Sequence, residues 1–315
     1  MTTLSAPAGR ADALALDVPQ RKSRSLWYDA WQRLIRNRAA VVSMVVIVLL
    51  YAIAYFAPLL APYNPNRVFP GATLKEPGWT DAAGHHFILG TDPIGRDLLS
   101  RLIYGTRISM VVGIIPVTIV LIIGCSYGML AGMRGGQVDN LMMRFAEIVA
   151  SVPDLLLLIM FSIAFRETFF GRLMDGLALI FVVLAVVGWV GTARMVRGQV
   201  LQLKEKEFVE AARAIGTPGA IIAFRHILPN VLSPLIVGVA FAIPGAIFGE
   251  AGLSFLGIGI RPPTASWGSM IQTGLPYILS AWWLTAAPAA MIGIVMLAFT
   301  FLGDGLRDAL DPRLK

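Results

Sequence analysis

Apolar residues form long uninterrupted runs along this chain, separated by short polar and charged segments. A bilayer core is about 30 Å thick, and a helix needs about 20 apolar residues to cross it. Because backbone polar groups find no water in lipid, each long run is expected to be helical. The sequence therefore predicts an all-α integral membrane protein with six transmembrane helices, at Ala39–Ala61, Ile108–Met133, Ile148–Phe165, Gly176–Ala193, Ile227–Gly249 and Trp282–Gly303.

Composition and charge support this class. The chain is 57% hydrophobic and 14% charged, whereas soluble domains carry about 25% charged residues. The net charge of +7 comes from short segments between apolar runs and not from one basic face, so no nucleic-acid partner is expected. Most of the 26 Lys and Arg residues are cytoplasmic if both termini lie inside, as the positive-inside rule requires.

These assignments divide the chain into five parts. Residues 1–38 are a cytoplasmic segment, 39–61 the first span, 62–107 an extracytoplasmic loop, 108–303 a five-helix core, and 304–315 a cytoplasmic tail. The loop ends in GTDPIGRDLLSRLIYGTR, where Asp92 precedes Arg96 by four residues and Asp97 likewise precedes Arg101. Acid before base at this spacing stabilises a helix, so we predict an amphipathic helix on the outer surface leading into the second span.

Two acidic residues lie within or at the end of apolar runs. Asp154 is about ten residues inside the third span, and a buried charge in a membrane is costly and often functional. It lines a polar substrate path, or it caps the helix that restarts after Pro153. Glu250 lies at the outer end of the fifth span, where it faces substrate or a binding partner, or marks the membrane interface.

Glycines recur every fourth residue in the second span, at Gly124, Gly128 and Gly132. This spacing lets two membrane helices approach closely, so we predict helix packing there. The same stretch, GCSYG, fits the G-x-S-x-G pattern of serine hydrolases, but Ser126 is mid-span and has no nearby histidine. No Gly-Lys dipeptide occurs, so a Walker A loop is absent from the sequence. We expect no enzyme activity, no catalytic residue, no metal site and no bound cofactor.

A charged segment separates the fourth and fifth spans, and we call residues 204–229 the inner elbow. Lys204–Ile215 is rich in helix-forming residues. Gly216 can end that helix in a left-handed conformation, and Thr217 can cap a second helix that has Pro218 at its first position. The elbow is either a docking site for a soluble partner or an amphipathic helix on the lipid headgroups.

The inner elbow resembles the EAA loop of permease subunits of binding-protein-dependent ABC importers. That pattern is E-A-A, three residues, Gly, nine residues, then I-x-L-P, and it is matched here at Glu210, Ala211, Ala212, Gly216, Leu228 and Pro229. His226 replaces the pattern's isoleucine. Three stretches resemble the second permease subunit of dipeptide, oligopeptide and nickel importers: LGTDPIGRDLLSRLIYGTRIS, EAGLSFLGIGIRPPTASWGSMI and GDGLRDALDPRLK. A fourth, GWVGTARMVRGQVLQLKEKEFVEAA, resembles oligopeptide-type members most closely.

The resemblance implies a subunit of an ATP-driven peptide importer in a bacterial or archaeal cytoplasmic membrane. Nickel chelates and glutathione-like solutes are alternative substrates, and an ion-gradient-driven secondary transporter is the alternative from another class. The implied partners are a second homologous permease, an external solute-binding protein, and two cytoplasmic ATPases that bind the ATP. The residues implied to couple to the ATPases are Glu207, Glu210, Ala211, Ala212, Gly216 and Pro229.

The resemblance also suggests roles near the membrane and outside it. Asp154 and Glu250 are candidates for the translocation path. The candidate contacts for the binding protein are Asp92, Arg96, Asp97 and Arg101.

Overall fold

A computed structural model describes residues 26–310 of the chain, which are mainly helical. The helices are α1 (Leu26–Leu34), α2 (Arg38–Tyr55), α3 (Ala57–Leu60), α4 (Leu98–Arg134), α5 (Gly136–Ala150), α6 (Asp154–Ala164), α7 (Phe169–Arg172), α8 (Leu177–Leu203), α9 (Glu207–Ala214), α10 (Gly219–Ile221), α11 (Leu228–Phe255), α12 (Trp267–Gly274) and α13 (Trp283–Leu310). Two short strands, β1 (Trp79–Thr80) and β2 (His86–Phe87), pair antiparallel. A turn of π-helix, Ile222–Ile227, joins α10 to α11.

Within the described residues, five helical segments are long and apolar enough to cross a membrane. They are Arg38–Tyr55, Leu98–Arg134, Phe169–Leu203, Gly219–Phe255 and Trp283–Leu310. Each contains or overlaps one of the predicted spans, and most extend further because polar residues continue the helix beyond the apolar run. A sixth crossing exists if the bent pair α5 and α6 counts as one span.

The predicted third span, Ile148–Phe165, is not a continuous helix. α5 ends at Ala150, α6 starts at Asp154, and the two helices are bent by 79° relative to each other. Pro153 explains the break, because proline has no N–H to donate and disfavours helical conformation in the residue before it. The third predicted span is therefore a broken one, with Asp154 at the bend.

Three glycines bring α4 and α8 into close contact along their C-terminal halves. A Cβ atom added at Gly124 would lie 2.6 Å from Thr192 Cβ, and one at Gly132 would lie 2.8 Å from Val200 Cβ. Gly128 faces the carbonyl oxygen of Ala193. Only residues without a side chain fit here, so the repeat Gly124, Gly128 and Gly132 lies at a helix–helix seam, as its spacing predicts.

The loop before α4, residues 61–97, folds into a small domain that we call the outer cap. The β1–β2 hairpin pairs Trp79 with Phe87, and Phe87 is buried against Phe69. Tyr63 Oη donates to the His86 carbonyl oxygen at 3.2 Å and accepts from the His86 N–H at 3.0 Å. Aromatic packing and backbone pairing thus hold a segment that has no helix of its own among its described residues.

The helix predicted at the end of this loop forms only in part, because residues 98–107 belong to α4 and residues 92–97 do not. Residues 92–97 form a turn, and α4 begins only at Leu98, with Asp97 as its N-cap. Asp97 Oδ2 accepts the Ser100 N–H at 2.7 Å. A capping carboxylate of this kind satisfies a helix N–H that has no partner within the helix, so Asp97 serves as a cap and its predicted pair with Arg101 does not form.

Candidate functional site

The first half of the inner elbow is the short helix α9. The helix was predicted over Lys204–Ile215, but α8 extends to Leu203 with Lys204 as its C-cap, so α9 covers only Glu207–Ala214. Glu207 and Glu210 lie in its first turn and Arg213 in its last. This order of charges matches the helix dipole, which favours acids at the N-terminus and bases at the C-terminus.

A sharp turn at Gly216 ends α9. Gly216 has φ +79°, the left-handed conformation that glycine adopts without strain. The Gly216 N–H donates to the Arg213 carbonyl at 2.9 Å, and the Thr217 N–H donates to the Ala212 carbonyl at 3.0 Å. These two bonds are the Schellman pattern. A Cβ at Gly216 would meet no atom within 4 Å, so the backbone conformation, and not lack of space, calls for glycine.

The second half of the elbow differs from its prediction in one respect. Thr217 does not cap a new helix, because the N-cap is Pro218 and the helix begins at Gly219. From Gly219 the chain runs through the π turn directly into α11. Pro229 stands in the first turn of α11, just after the π turn. A proline ring clashes with the carbonyl four residues earlier in a regular helix, and the wider π turn relieves that clash.

The elbow packs one face against the membrane helices and exposes the other. Val209 and Ala212 of α9 are buried against an apolar cluster that includes Val196 and Val200 of α8 and Ile227 of the π turn. The opposite face of α9 exposes Glu207, Glu210 and Ala211.

Three large apolar side chains flank this exposed face, and the exposed fractions are 43% for Phe208, 83% for Ile215 and 70% for Phe224. Exposed apolar groups rimmed by charges are typical of a surface that binds another protein or a membrane.

Asp154 lies in the first turn of α6, at the bend of the broken span. Its side chain is exposed and makes no hydrogen bond or ion pair with any described residue. The capping alternative is therefore not supported, although an acid in the first turn still complements the dipole of α6. A role of Asp154 in a substrate path remains a prediction.

Glu250 is fully buried where α11 meets α12. Its Oε1 accepts from Ser254 Oγ at 2.6 Å and from Ser266 Oγ at 2.7 Å. Ser266 is the N-cap of α12 and accepts the Ser269 N–H in a capping box. Glu250 thus joins two helices, and its place in a translocation path stays a prediction.

The four charged residues predicted to contact a binding protein are buried in this chain, each at 9% exposure or less. Asp92 Oδ2 accepts from Arg96 Nε at 2.6 Å and lies 3.6 Å from Arg101 Nε. Asp92 Oδ1 accepts the backbone N–H groups of Ile94 and Arg96. The binding-protein contact remains a prediction, but these side chains can support it only by shaping the outer cap.

Burial raises the pKa of Asp97, although its hydrogen bonds from Ser100 and Leu99 act in the opposite direction. A raised acid pKa means that the folded chain holds this proton more tightly than the unfolded chain. Asp97 alone therefore favours the folded state as the pH falls.

One ion pair near the elbow involves residues that no sequence motif marks. Arg197 of α8 donates from Nε to Asp139 Oδ1 at 2.5 Å and from Nη2 to Asp139 Oδ2 at 2.7 Å. Asp139 is buried in α5. The two residues are 58 positions apart, so helical spacing could not have revealed the pair.

Comparison with known proteins identifies the class of this chain. Residues 124–315 match the family of binding-protein-dependent transport system inner membrane components, and residues 25–77 match the N-terminal transmembrane domain of oligopeptide transport permease C. The chain belongs to this family of membrane transport components, and it is a multi-pass permease subunit.

Curated relatives extend the match over nearly the whole chain. The dipeptide transport system permease protein DppC of Bacillus subtilis (strain 168) is 42% identical over 95% of this chain and 89% of its own length. The oligopeptide transport system permease protein OppC of the same organism is 39% identical, covering 99% of this chain and 96% of its own. OppC of Escherichia coli (strain K12) is 41% identical, with 93% of both chains covered.

Solved structures share the fold of the core. A chain of the MetNI methionine ABC transporter, in an inward-facing conformation, matches with a TM-score of 0.55 and 20% identity. The match covers 68% of this chain and 96% of that one. At this identity the likeness shows a common permease architecture and nothing about the transported solute.

Proposed function

We propose that this chain is a membrane-spanning subunit of an ATP-driven importer that carries peptides into the cell. The observation that carries the proposal is the inner elbow, in which Gly216 turns the chain sharply and α9 presents charged and apolar side chains outward. Membership of the permease family and relatives named for dipeptide and oligopeptide transport support the peptide substrate.

The proposal includes partners on both sides of the membrane and within it. Two cytoplasmic ATPases bind ATP, and one of them holds the exposed face of α9 in a cleft, a docking mode that short amphipathic helices commonly use. A second homologous permease covers part of the apolar helix faces, and a solute-binding protein delivers peptide to the outer side. Motion of the ATPases then shifts the permeases between outward- and inward-facing states.

In this proposal both termini are cytoplasmic and the outer cap is extracytoplasmic. A cysteine at position 85 should react with a membrane-impermeant maleimide added to intact cells, and a cysteine at position 206 should not. His85 lies in the outer cap and Lys206 is the N-cap of α9. Labelling of position 206 alone would invert the topology and would remove the elbow from the ATPase side.

The proposed subunit performs no bond chemistry itself. Any ATP is bound by the partner ATPases, and the contribution of this chain is the path and its gating.

Purification from the native membrane in mild detergent tests the assembly. We expect two ATPase subunits and a second permease to accompany the chain, and the ATPases to be lost when Ile215 and Phe224 are both replaced by Ser. Reconstituted with the binding protein, the complex should take up radiolabelled tri-alanine only with ATP. A chain that purifies alone and moves solute with an ion gradient would contradict the proposal. Uptake of a nickel chelate but of no peptide would show that the importer carries nickel chelates and not peptides.

A further inference from the structure

The ion pair between Arg197 and Asp139 is the main polar connection between α8 and the broken span. Both carboxylate oxygens of Asp139 are engaged, one by Nε and one by a terminal nitrogen of the same guanidinium. The Asp139 side chain is 8% exposed and that of Arg197 is 31% exposed. A paired, planar contact of this kind fixes orientation as well as distance, which a single point charge does not.

On α8, Arg197 lies where α8 packs closely against α4. Arg197 lies between Ala193 and Val200, the residues that face Gly128 and Gly132. Because backbone and side chain already touch at those glycines, α4 and α8 have little room to slide past each other. A displacement of the inner end of α8 therefore moves α4 and α8 together and carries Arg197 with them.

The inner end of α8 is in turn packed on the elbow. Val196 and Val200 belong to the same buried cluster as Val209 and Ala212 of α9. Val200 is three residues from Arg197, so the two side chains are neighbours on the helix surface. A partner that pushes or pulls α9 therefore acts on Arg197 through one layer of packed side chains.

α5 extends from this ion pair towards the bend. Its second contact with α8 is apolar, where Ala146 packs on Trp189 and Val190. Asp139 and Asp154 are separated by about 20 Å of chain, at about 1.5 Å per helical residue. Asp154 lies beyond the 79° bend and is exposed, so a rotation of α5 about its inner end changes the surroundings of that carboxylate.

We infer that Arg197 and Asp139 are a positioning pair that passes movement of the inner elbow to the broken span. The inference rests on the proposed function, since it assumes that a nucleotide-driven partner moves α9. The pair contacts no solute. It holds α5 against the packed helices α4 and α8, so the bend at Pro153 moves when the elbow moves. Without it, α5 keeps its apolar contacts but loses the contact that sets its angle.

The test measures the accessibility of the bend to a labelling reagent, in the complete complex with its partner subunits. With Cys125 replaced by Ser and Asp154 by Cys, the labelling rate of position 154 by a water-soluble maleimide is measured without nucleotide and with trapped ATP. We expect ATP to change the rate about fivefold or more, the lower end of typical coupling between sites. Asp139→Asn and Arg197→Gln should remove that change, and the exchange Asp139→Arg with Arg197→Asp should restore much of it.

Arg194→Gln is the matched control, because Arg194 is exposed one turn earlier on α8. It should keep the ATP-dependent change. An unaltered ATP effect in Asp139→Asn and Arg197→Gln, or no ATP effect in the parent complex, overturns the inference. Tri-alanine uptake by the parent complex is scored separately, so a failed peptide substrate is distinguishable from a failed relay. Variants that do not assemble are identified by co-purification. In that case the labelling rate of the charge-exchange variant tests the inference.

Discussion

In the outer cap, Asp92 and Arg96 are buried and paired, whereas Glu207, Glu210 and Arg213 of the inner elbow lie exposed on α9. The first set holds a loop together through its own contacts. The second set is arranged along a helix dipole and leaves its charged groups free for a partner. Both regions are polar segments between apolar helices. The charged groups of the outer cap bind one another, whereas those of the inner elbow are exposed and can bind a partner.

This difference shows two uses of charge in one membrane protein. A buried ion pair is costly to break, because the remaining partner is left without compensation in a place that water cannot reach. An exposed charge contributes little to stability and is available for recognition. Stability should therefore be most sensitive in the outer cap, and coupling most sensitive in the inner elbow.

The largest expected effect is in the outer cap. Asp92→Asn keeps an oxygen for the backbone N–H groups but leaves Arg96 and Arg101 buried without a carboxylate. We expect the chain to lose about 3–5 kcal/mol of stability, measured as thermal unfolding in detergent.

Asp81→Asn is its control in the same cap, because the Asp81–His85 pair is more exposed. That variant should unfold close to the parent temperature, because an exposed ion pair contributes little to stability. Equal losses for the two variants would contradict the distinction between buried and exposed pairs.

An intermediate effect is expected in the inner elbow. Gly216→Val places a β-branched residue at φ +79°, a strain of about 1–3 kcal/mol that unwinds the Schellman turn. Since about 1.4 kcal/mol is a factor of ten, we expect ATP-driven uptake to fall about tenfold, with the protein still inserted in the membrane.

The matched control is Gly219→Ala, because Gly219 has ordinary helical geometry and open space around it. Uptake by Gly219→Ala should stay near the parent value. Full uptake by Gly216→Val would show that the shape of the turn does not matter for coupling.

The smallest effect is expected at the start of α4. Asp97→Ala removes the acceptor for the Ser100 N–H and should cost about 1 kcal/mol, seen as a lower unfolding temperature in detergent. Asp97→Asn keeps an acceptor without the buried charge, and burial raises the pKa of Asp97, so this variant should stay close to the parent. Equal losses for Asn and Ala would mean that the charge, and not the cap, stabilises α4.

The sequence allowed correct predictions where local residues decide the structure. The length of the apolar runs predicted the five helices that are long enough to cross a membrane. The position of Gly216 after a run of helix-forming residues predicted its left-handed turn. The close glycine seam of α4 is also a local signal, because every fourth residue lies on one helix face.

Predictions failed where distant contacts decide the structure. Asp92 and Arg96 have helical spacing, yet they lie in a turn whose Gly95 carbonyl accepts the N–H of the distant Phe69. Helical spacing also could not reveal that Arg197 pairs with Asp139, since only packing of α5 on α8 brings them together. The bend at Pro153 was marked by its proline, but its angle depends on the neighbouring helices.

The central claim is that the exposed face of α9 contacts an ATPase subunit. The most direct test is photo-cross-linking from a benzophenone maleimide on a cysteine at Ala211, in a Cys125→Ser background and in the complex purified with its native partners. A cysteine at Ala83, exposed in the outer cap, is the control. We predict that position 211 cross-links to an ATPase subunit and that position 83 does not. Products from position 211 that contain only lipid, or that match those from position 83, would contradict the account.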